Sequence, residues 1–155
     1  MAEENKKLKV IVFQINNEEY TVPVNLVGSI ERLMPITRVP GTKSFVKGVL
    51  NLRGVVTPVI DLRQRFGIEE VADTDATRII TVKIHEMSVG LIVDAANDVL
   101  DLDEESIEPP PEVIGTAEAD YIQGVSKLDQ RLFILLNLEK VLAKDDVHEL
   151  NELYV

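Results

Sequence analysis

The chain has 155 residues, 45% of them hydrophobic, and a formal net charge of −11. That length suits one domain, or two small halves sharing a core, and the apolar content excludes a chain disordered by composition. The acidity excludes the concentrated basic face that a phosphate backbone requires, so no nucleic-acid partner is expected, and it disfavours an anionic membrane surface. There is no cysteine, hence no disulfide framework and no thiolate chemistry. Met1 to Lys7 lacks the apolar core of a signal peptide, and no apolar run approaches membrane-spanning length. A cytoplasmic location without membrane insertion is the expectation.

Val10 to Ile15 is rich in β-branched residues and predicts a strand, closed by an Asn16-Asn17 turn. Tyr20 to Val24 resumes the strand pattern, with Pro23 confining it to an edge or a strand end. Asn25-Leu26-Val27 reads as a short turn leading to a strand near Ile30, and Pro35 to Thr42 as a loop. Val46 to Leu52 and Val55 to Ile60 flank Arg53-Gly54 with the spacing of a tight hairpin, and Asp61 is placed to cap a short helix, Leu62 to Phe66. Glu69 to Thr77 is a polar junction. A second series follows: a hairpin of Arg78 to Ile84 and Met87 to Val93, a strand at Val99 to Leu102, and a proline-rich loop from Glu108 to Asp120. Ile122 to Leu128 and Leu132 to Leu136 form another hairpin, and Asn137 caps Leu138 to Ala143. The charged residues after Lys144 read as a final helix or a tail.

The second series repeats the first. Phe45-Val46-Lys47-Gly48-Val49 returns 76 residues later as Tyr121-Ile122-Gln123-Gly124-Val125. Phe13, Ile15, Tyr20, Val22, Val24 and Ile30 meet Val82, Ile84, Val89, Leu91, Val93 and Val99, each 69 residues on. Pro35 and Gly41-Thr42 meet Pro109 and Gly115-Thr116 at a separation of 74. Repetition of many short strands predicts an all-β chain of two small barrels packed side by side, with exchange of strands between them left open. What both copies keep reads as structural. Gly48 and Gly124 mark a bulge or close backbone approach, and Asp61 and Asn137 mark helix caps.

Catalytic constellations are missing from the sequence. His85 falls at a hairpin turn and His148 in the charged tail; no nucleophile-elbow serine and no metal-ligand spacing accompany them. Gly41-Thr42-Lys43-Ser44 lacks the preceding glycine and the helix of a phosphate loop, and Asp101 to Glu105 lacks the glycine of a calcium loop. No cofactor, metal or enzymatic activity is expected. Arg53-Gly54 is matched only by Asp129-Gln130, so the turn itself does not need Arg53. A guanidinium at a rigid hairpin tip suits a carboxylate or a carbonyl on a partner. Arg63 and Arg65 follow where the second copy has Glu139 and Val141, and the three arginines read as a local basic cluster facing an acidic protein partner.

Arg38-Val39-Pro40-Gly41, the run from Phe45 to Arg63 containing Asn51-Leu52-Arg53-Gly54 and Pro58-Val59-Ile60-Asp61-Leu62-Arg63, and Val89 to Asp94 followed by Asp98-Val99-Leu100 resemble the signature of the CheW family. The resemblance runs from about Val10 to Ala143. It implies a CheW-like domain over residues 8–144, with repeats at about 8–70 and 77–144 folded as two pseudo-symmetric SH3-like five-stranded β-barrels with short helices. Residues 145–155 then form a charged tail or helix. It implies a non-catalytic scaffold whose partners are the regulatory domain of the histidine kinase CheA and the cytoplasmic tip of methyl-accepting chemoreceptors. The chain is too short for an added receiver or kinase, so a stand-alone adaptor fits best.

By the same resemblance, a groove between the barrels takes the receptor tip. Its lining maps to Ile11, Val24, Val27, Ile30 and Val99, with Ala96 nearby, and Gly48, Asn51, Arg53 and Gly54 are associated with the coupling. Family members often carry glutamate where this chain has Ser29; here Glu31 follows Ile30 instead, leaving the identity of any carboxylate partner of Arg53 open. Val24, Val27 and Ile30 are spaced like one face of a turn or helix, for which the default is core packing; the resemblance implies that some stay exposed toward the receptor. Aspartate at Val27 or Ile30 is expected to leave the fold intact and to weaken receptor binding. The alternative is a peptide- or ligand-binding double barrel outside chemotaxis. A hydrolase built on surface carboxylates has no positive feature behind it.

Overall fold

Runs of Val, Ile and Leu broken by two-residue turns leave little choice but strands, and strands dominate the chain. The computed structural model describes residues 6–68, 72–110, 121–142 and 144–151. The strands are β1 (Lys7–Ile15), β2 (Glu18–Pro23), β3 (Val27–Arg32), β4 (Val46–Leu52), β5 (Val55–Asp61) and β6 (Arg78–Ile84). They continue with β7 (Met87–Val93), β8 (Ala95–Asp103), β9 (Ile107–Glu108), β10 (Ile122–Leu128) and β11 (Arg131–Leu136). Short 3-10 turns occupy Val24–Leu26 and Glu104–Ser106. The helices are α1 (Leu62–Arg65), α2 (Leu138–Val141) and α3 (Lys144–Asn151). The tail after Lys144 therefore begins as a helix. Most of the proline-rich loop, 111–120, and residues 69–71 of the junction lie outside the described residues.

Four hairpin turns put non-glycine residues at positive φ: Asn16 and Asn17, Arg53 before Gly54, His85 and Glu86, and Asp129. Two-residue turns of this kind match the right-handed twist of the strands they join. The side chain of Asn51 accepts the Gly54 N–H at 2.8 Å and braces the second of them. Asp61 accepts the Arg63 N–H at 3.0 Å, and Asn137 accepts the Glu139 N–H at 3.1 Å, so both expected caps form.

Two sheets result, with strand orders β8-β1-β2-β11-β10-β9 and β3-β6-β7-β5-β4. β2 with β11 and β5 with β7 are parallel; the other pairings are antiparallel. Replacing each strand by its repeat counterpart turns the second order into the first: β3 becomes β8, β6 becomes β1, β7 becomes β2, β5 becomes β11 and β4 becomes β10. Each sheet mixes strands of both copies, which answers the question of exchange. Each also curls. The chain leaving β3 returns to β4, where Thr37 and Val49 exchange backbone hydrogen bonds of 2.8 and 2.9 Å. In the other sheet β9, which follows β8 after a single turn, pairs with β10. The pairing is that of two curled open sheets; among the described residues it closes no five-stranded barrel.

Alternation along the inner strands builds three cores from one pattern. In β1, Val10 and Val12 point into the curl of their own sheet, joining Leu102, Phe133 and Leu135. Ile11, Phe13 and Ile15 point the other way, into a core shared with Ile60, Ile80, Val82 and Leu91 of the second sheet. β6 does the same with Ile79 on one face and Ile80 and Val82 on the other. Strands buried on both faces explain the unbroken apolar runs in the sequence. Each such Val, Ile or Leu contributes about 1.5–3 kcal/mol of hydrophobic stabilisation. Tyr20, Phe66 and Tyr121 stack in succession through the shared core, with centroids 5.3 and 5.4 Å apart.

Candidate functional site

β3 and β8 are the outer strands of the two sheets, and each carries a register shift that decides its exposed face. In β3 the shift falls between Val27 and Ser29, so Val27 pairs with Val82 and Ile30 with Ile80. In β8 Ala96 pairs with Phe13 and Val99 with Ile11, with the shift between them. A bulge restores the side-chain phase after an odd step. Residues three apart therefore share a face, and that face adjoins the shared core. Val24, Val27 and Ala96 pack partly on this core. Ile30, 42% exposed, and Val99, 53% exposed, are repeat equivalents at its rim.

The structure thus brings Ile11, Val24, Val27, Ile30, Ala96 and Val99 to one seam, although not all are surface. Ile11 is buried beneath the β8 wall, with only 7% of its surface exposed. Val27 leans on the core, so an aspartate there would set a carboxylate against apolar side chains and is expected to cost stability, where the sequence suggested an intact fold. Ile30 and Val99 are the positions that can be changed from outside.

Arg53 is tied to β3 through Glu31, which pairs with Ile79 and so lies on the face of the strand opposite Ile30. Its guanidinium donates to the Glu31 carboxylate at 3.3 Å, and its side chain is otherwise largely in solvent. The carboxylate left unidentified by the sequence is therefore Glu31. Ser29 instead bonds Thr81, its N–H donating to Oγ1 at 2.7 Å. Asn51 and Gly54 shape the hairpin tip that holds Arg53. Gly48 lies apart from the surface: it is buried, with φ +142°, and a Cβ would sit 2.0 Å from the Thr37 carbonyl oxygen. It lets β4 pass under the chain that curls back from β3. Gly124 does the same beneath β9, where a Cβ would meet the Glu108 carbonyl at 2.9 Å.

The expected basic cluster does not form. Arg63 is buried, 2% exposed. It donates to Asp61 at 3.0 and 3.1 Å, to Asp73 at 3.0 Å and to Asp94 at 3.1 Å. Burial opposes its charge, but the hydrogen bonds it donates to the three aspartates, with the charge of Asp61, outweigh that and hold the guanidinium above its usual range. Arg65 lies between the rings of Phe45 and Tyr121, 5.0 Å from each centroid, and donates to the Val141 carbonyl at 2.6 Å. Both arginines spend their donors inside the molecule. Of the three, Arg53 faces outward. Asp73 and Asp94 lie 10 and 31 residues from Arg63 and carry no local signal, so the sequence hid this.

His85 sits in its hairpin turn with Nε2 3.2 Å from the Glu139 carbonyl oxygen, and His148 is exposed on α3. Among the described residues no group of three His, Cys, Asp or Glu side chains is placed to hold a metal ion. No helix there is long and apolar enough to cross a membrane. An apolar seam between two curled sheets, with Ile30 and Val99 exposed along it, is the kind of surface found in binding modules of the two-sheet β class.

The comparisons with known proteins agree. The CheW-like domain model matches residues 9–146. The chain is 44% identical over 137 residues to the chemotaxis protein CheW of Bacillus subtilis, covering 88% of each. It is 36% identical over 147 residues to that of Klebsiella aerogenes, covering 95% of this chain and 89% of the relative. Its fold matches the crystal structure of the scaffolding protein TtCheW from Thermoanaerobacter tengcongensis with a TM-score of 0.82 at 38% identity, covering 88% and 92% of the two chains. The chain belongs to the CheW-like family, a family of chemotaxis scaffold proteins.

Proposed function

We propose that this chain is a non-catalytic cytoplasmic adaptor that couples methyl-accepting chemoreceptors to the histidine kinase CheA. The observation that carries the reading is that Ile30 and Val99 are exposed apolar residues at equivalent positions on two edge strands; the Arg53 tip, braced by Glu31, stands at the β3 edge. An apolar strip of this shape suits the apolar face of a helical hairpin, and a cation at its edge suits a carboxylate on that hairpin. In this reading Ile30, Val99 and Arg53 touch the receptor; Val24, Val27 and Ala96 floor the groove over Ile11. Asn51 and Gly54 set the tip, and Gly48 supports it from beneath. The curl of each sheet, with Thr37 bridging to β4 and β9 to β10, supports reading the two sheets as SH3-like barrels that offer their ends to the kinase's regulatory domain. No cofactor is required.

Reconstitution tests this. Receptor, CheA and this chain together should give receptor-controlled kinase phosphorylation that is lost when the chain is omitted. Ile30→Asp should weaken recovery of the chain with receptor tips while its thermal unfolding stays within a few degrees. Arg53→Glu should abolish coupling with little change in stability, because an exposed pair such as Arg53–Glu31 contributes about 0–1 kcal/mol. Titrations in which neither the regulatory domain nor a receptor-tip peptide binds would move the chain outside chemotaxis, to the peptide-binding alternative.

A further inference from the structure

The two copies treat their crossover between sheets differently. In one flank the chain passes from β7 to β8 at Asp94. That residue is held three ways: its N–H donates to the Gln14 carbonyl at 2.9 Å, its Oδ2 accepts from the Asn16 N–H at 2.8 Å, and its Oδ1 accepts from Arg63 at 3.1 Å. Arg63 is in turn fixed to the Asp61 cap and to Asp73. A guanidinium fork with several carboxylates leaves few alternative geometries.

The repeat equivalents on the other flank are Asn25 for Asp94, His85 for Asn16, Asn137 for Asp61 and Glu139 for Arg63. The buried cation is gone. The crossover from β2 to β3 is the 3-10 turn Val24–Leu26, whose ends have no side-chain cap. Beside it lies an open cleft of about 510 Å³, lined in part by Pro23, Leu26, His85, Asn137 and Glu139. Across it His85 Nε2 lies 3.2 Å from the Glu139 carbonyl oxygen. One molecule thus contains the same crossover twice, once locked by charge and once not.

We propose that Arg63 is a positioning residue for the docking groove. Through Asp94 it fixes the entry into β8, so the wall carrying Ala96 and Val99 is held, while the wall carrying Val27 and Ile30 is the one that adjusts to a bound helix. The role in docking rests on the function proposed above; the unequal stiffness of the walls does not.

Asp94→Asn keeps the shape of the side chain and removes its charge. Asp73→Asn removes a carboxylate from the same guanidinium and leaves the Arg63–Asp94 bond in place. Amide hydrogen exchange on the intact chain should show slower exchange for β8 amides bonded to β1 than for β3 amides bonded to β6. Asp94→Asn should speed β8 exchange toward the β3 rate and weaken receptor-tip binding about tenfold, within the usual range of coupling between sites. Asp73→Asn, which loosens the same guanidinium but leaves its bond to Asp94, should move both in the same direction by less. A folded Asp94→Asn chain with wild-type β8 exchange overturns the proposal, whatever the receptor does. If Asp94→Asn does not fold, Arg63→Lys takes its place, since lysine keeps the charge without the fork; wild-type β8 exchange in that variant overturns it equally. A wild-type chain that binds no receptor tip removes the docking reading, and the exchange comparison still decides the stiffness of the walls.

Discussion

Glycine 48 and glycine 54 stand six residues apart, both at positive φ, and should respond differently to the same change. A Cβ on Gly48 would meet the Thr37 carbonyl oxygen at 2.0 Å, with the neighbouring Arg38 Cα also at contact; a Cβ on Gly54 meets nothing within 4 Å. Gly54→Ala is charged only with the left-handed backbone, about 1–2 kcal/mol. Gly48→Ala adds displacement of a hydrogen-bonded backbone segment and should cost about 3 kcal/mol or more. Urea unfolding of the two variants gives the comparison, and equal midpoints would remove the steric account of Gly48. Repetition made this residue legible, because Gly48 and Gly124 are kept in both copies. Arg63 was misread for the complementary reason. Its partners, at positions 61, 73 and 94, converge only when two strands and the junction between copies are in place, and a sequence shows an arginine near a turn as a surface cation.

At the scale of elements, strands, turns and caps were readable because each is fixed by neighbours in the chain. Alternation, two-residue turns and a cap residue act over four to eight positions. Strand partners were not readable. β2 pairs with β11, more than a hundred residues away, and no local pattern announces it. That parallel seam carries an ion pair across it: Arg131 donates to Glu19 at 2.6 and 3.1 Å and lies over the Phe133 ring at 4.7 Å. The hydrogen bond from Arg131 holds the Glu19 carboxyl below the ordinary carboxylate range. A carboxyl depressed on folding stabilises the native state above its unfolded pKa, and that contribution is lost as pH falls through the folded value. Solvent reaches both side chains, so the effect stays within the surface range of about 0–1 kcal/mol. Arg131→Ala should return the Glu19 carboxyl toward its ordinary value in an NMR titration. It should also remove the matching part of the acid-side loss of stability; an unmoved Glu19 titration would assign the shift to another cause.

The whole molecule is one folding unit because its repeats are not. A tandem of independent barrels would keep β1 to β5 together; here β1 needs β8 and β3 needs β6. A fragment ending at residue 74 would hold β1 to β5 but leave the second sheet without its two central strands and the first without its outer four. A fragment from residue 75 would be incomplete in the mirror sense. Each fragment would expose the core shared by Phe13, Ile60, Ile80 and Leu91. The burial lost, several large side chains at about 1.5–3 kcal/mol each, matches or exceeds the net stability of about 5–15 kcal/mol that a domain of this kind possesses. Neither fragment should show a cooperative thermal transition or native far-ultraviolet circular dichroism alone, and an equimolar mixture should recover both. A sigmoidal unfolding curve from either fragment by itself would mean that strand exchange is not what binds the copies together. In the intact chain, probes at Tyr20 in one sheet and at residues 80 and 82 in the other should lose structure at the same urea concentration, as expected of a single cooperative transition. In the proposed coupling role, force applied at Ile30 on one sheet would be carried into strands that continue covalently in the other.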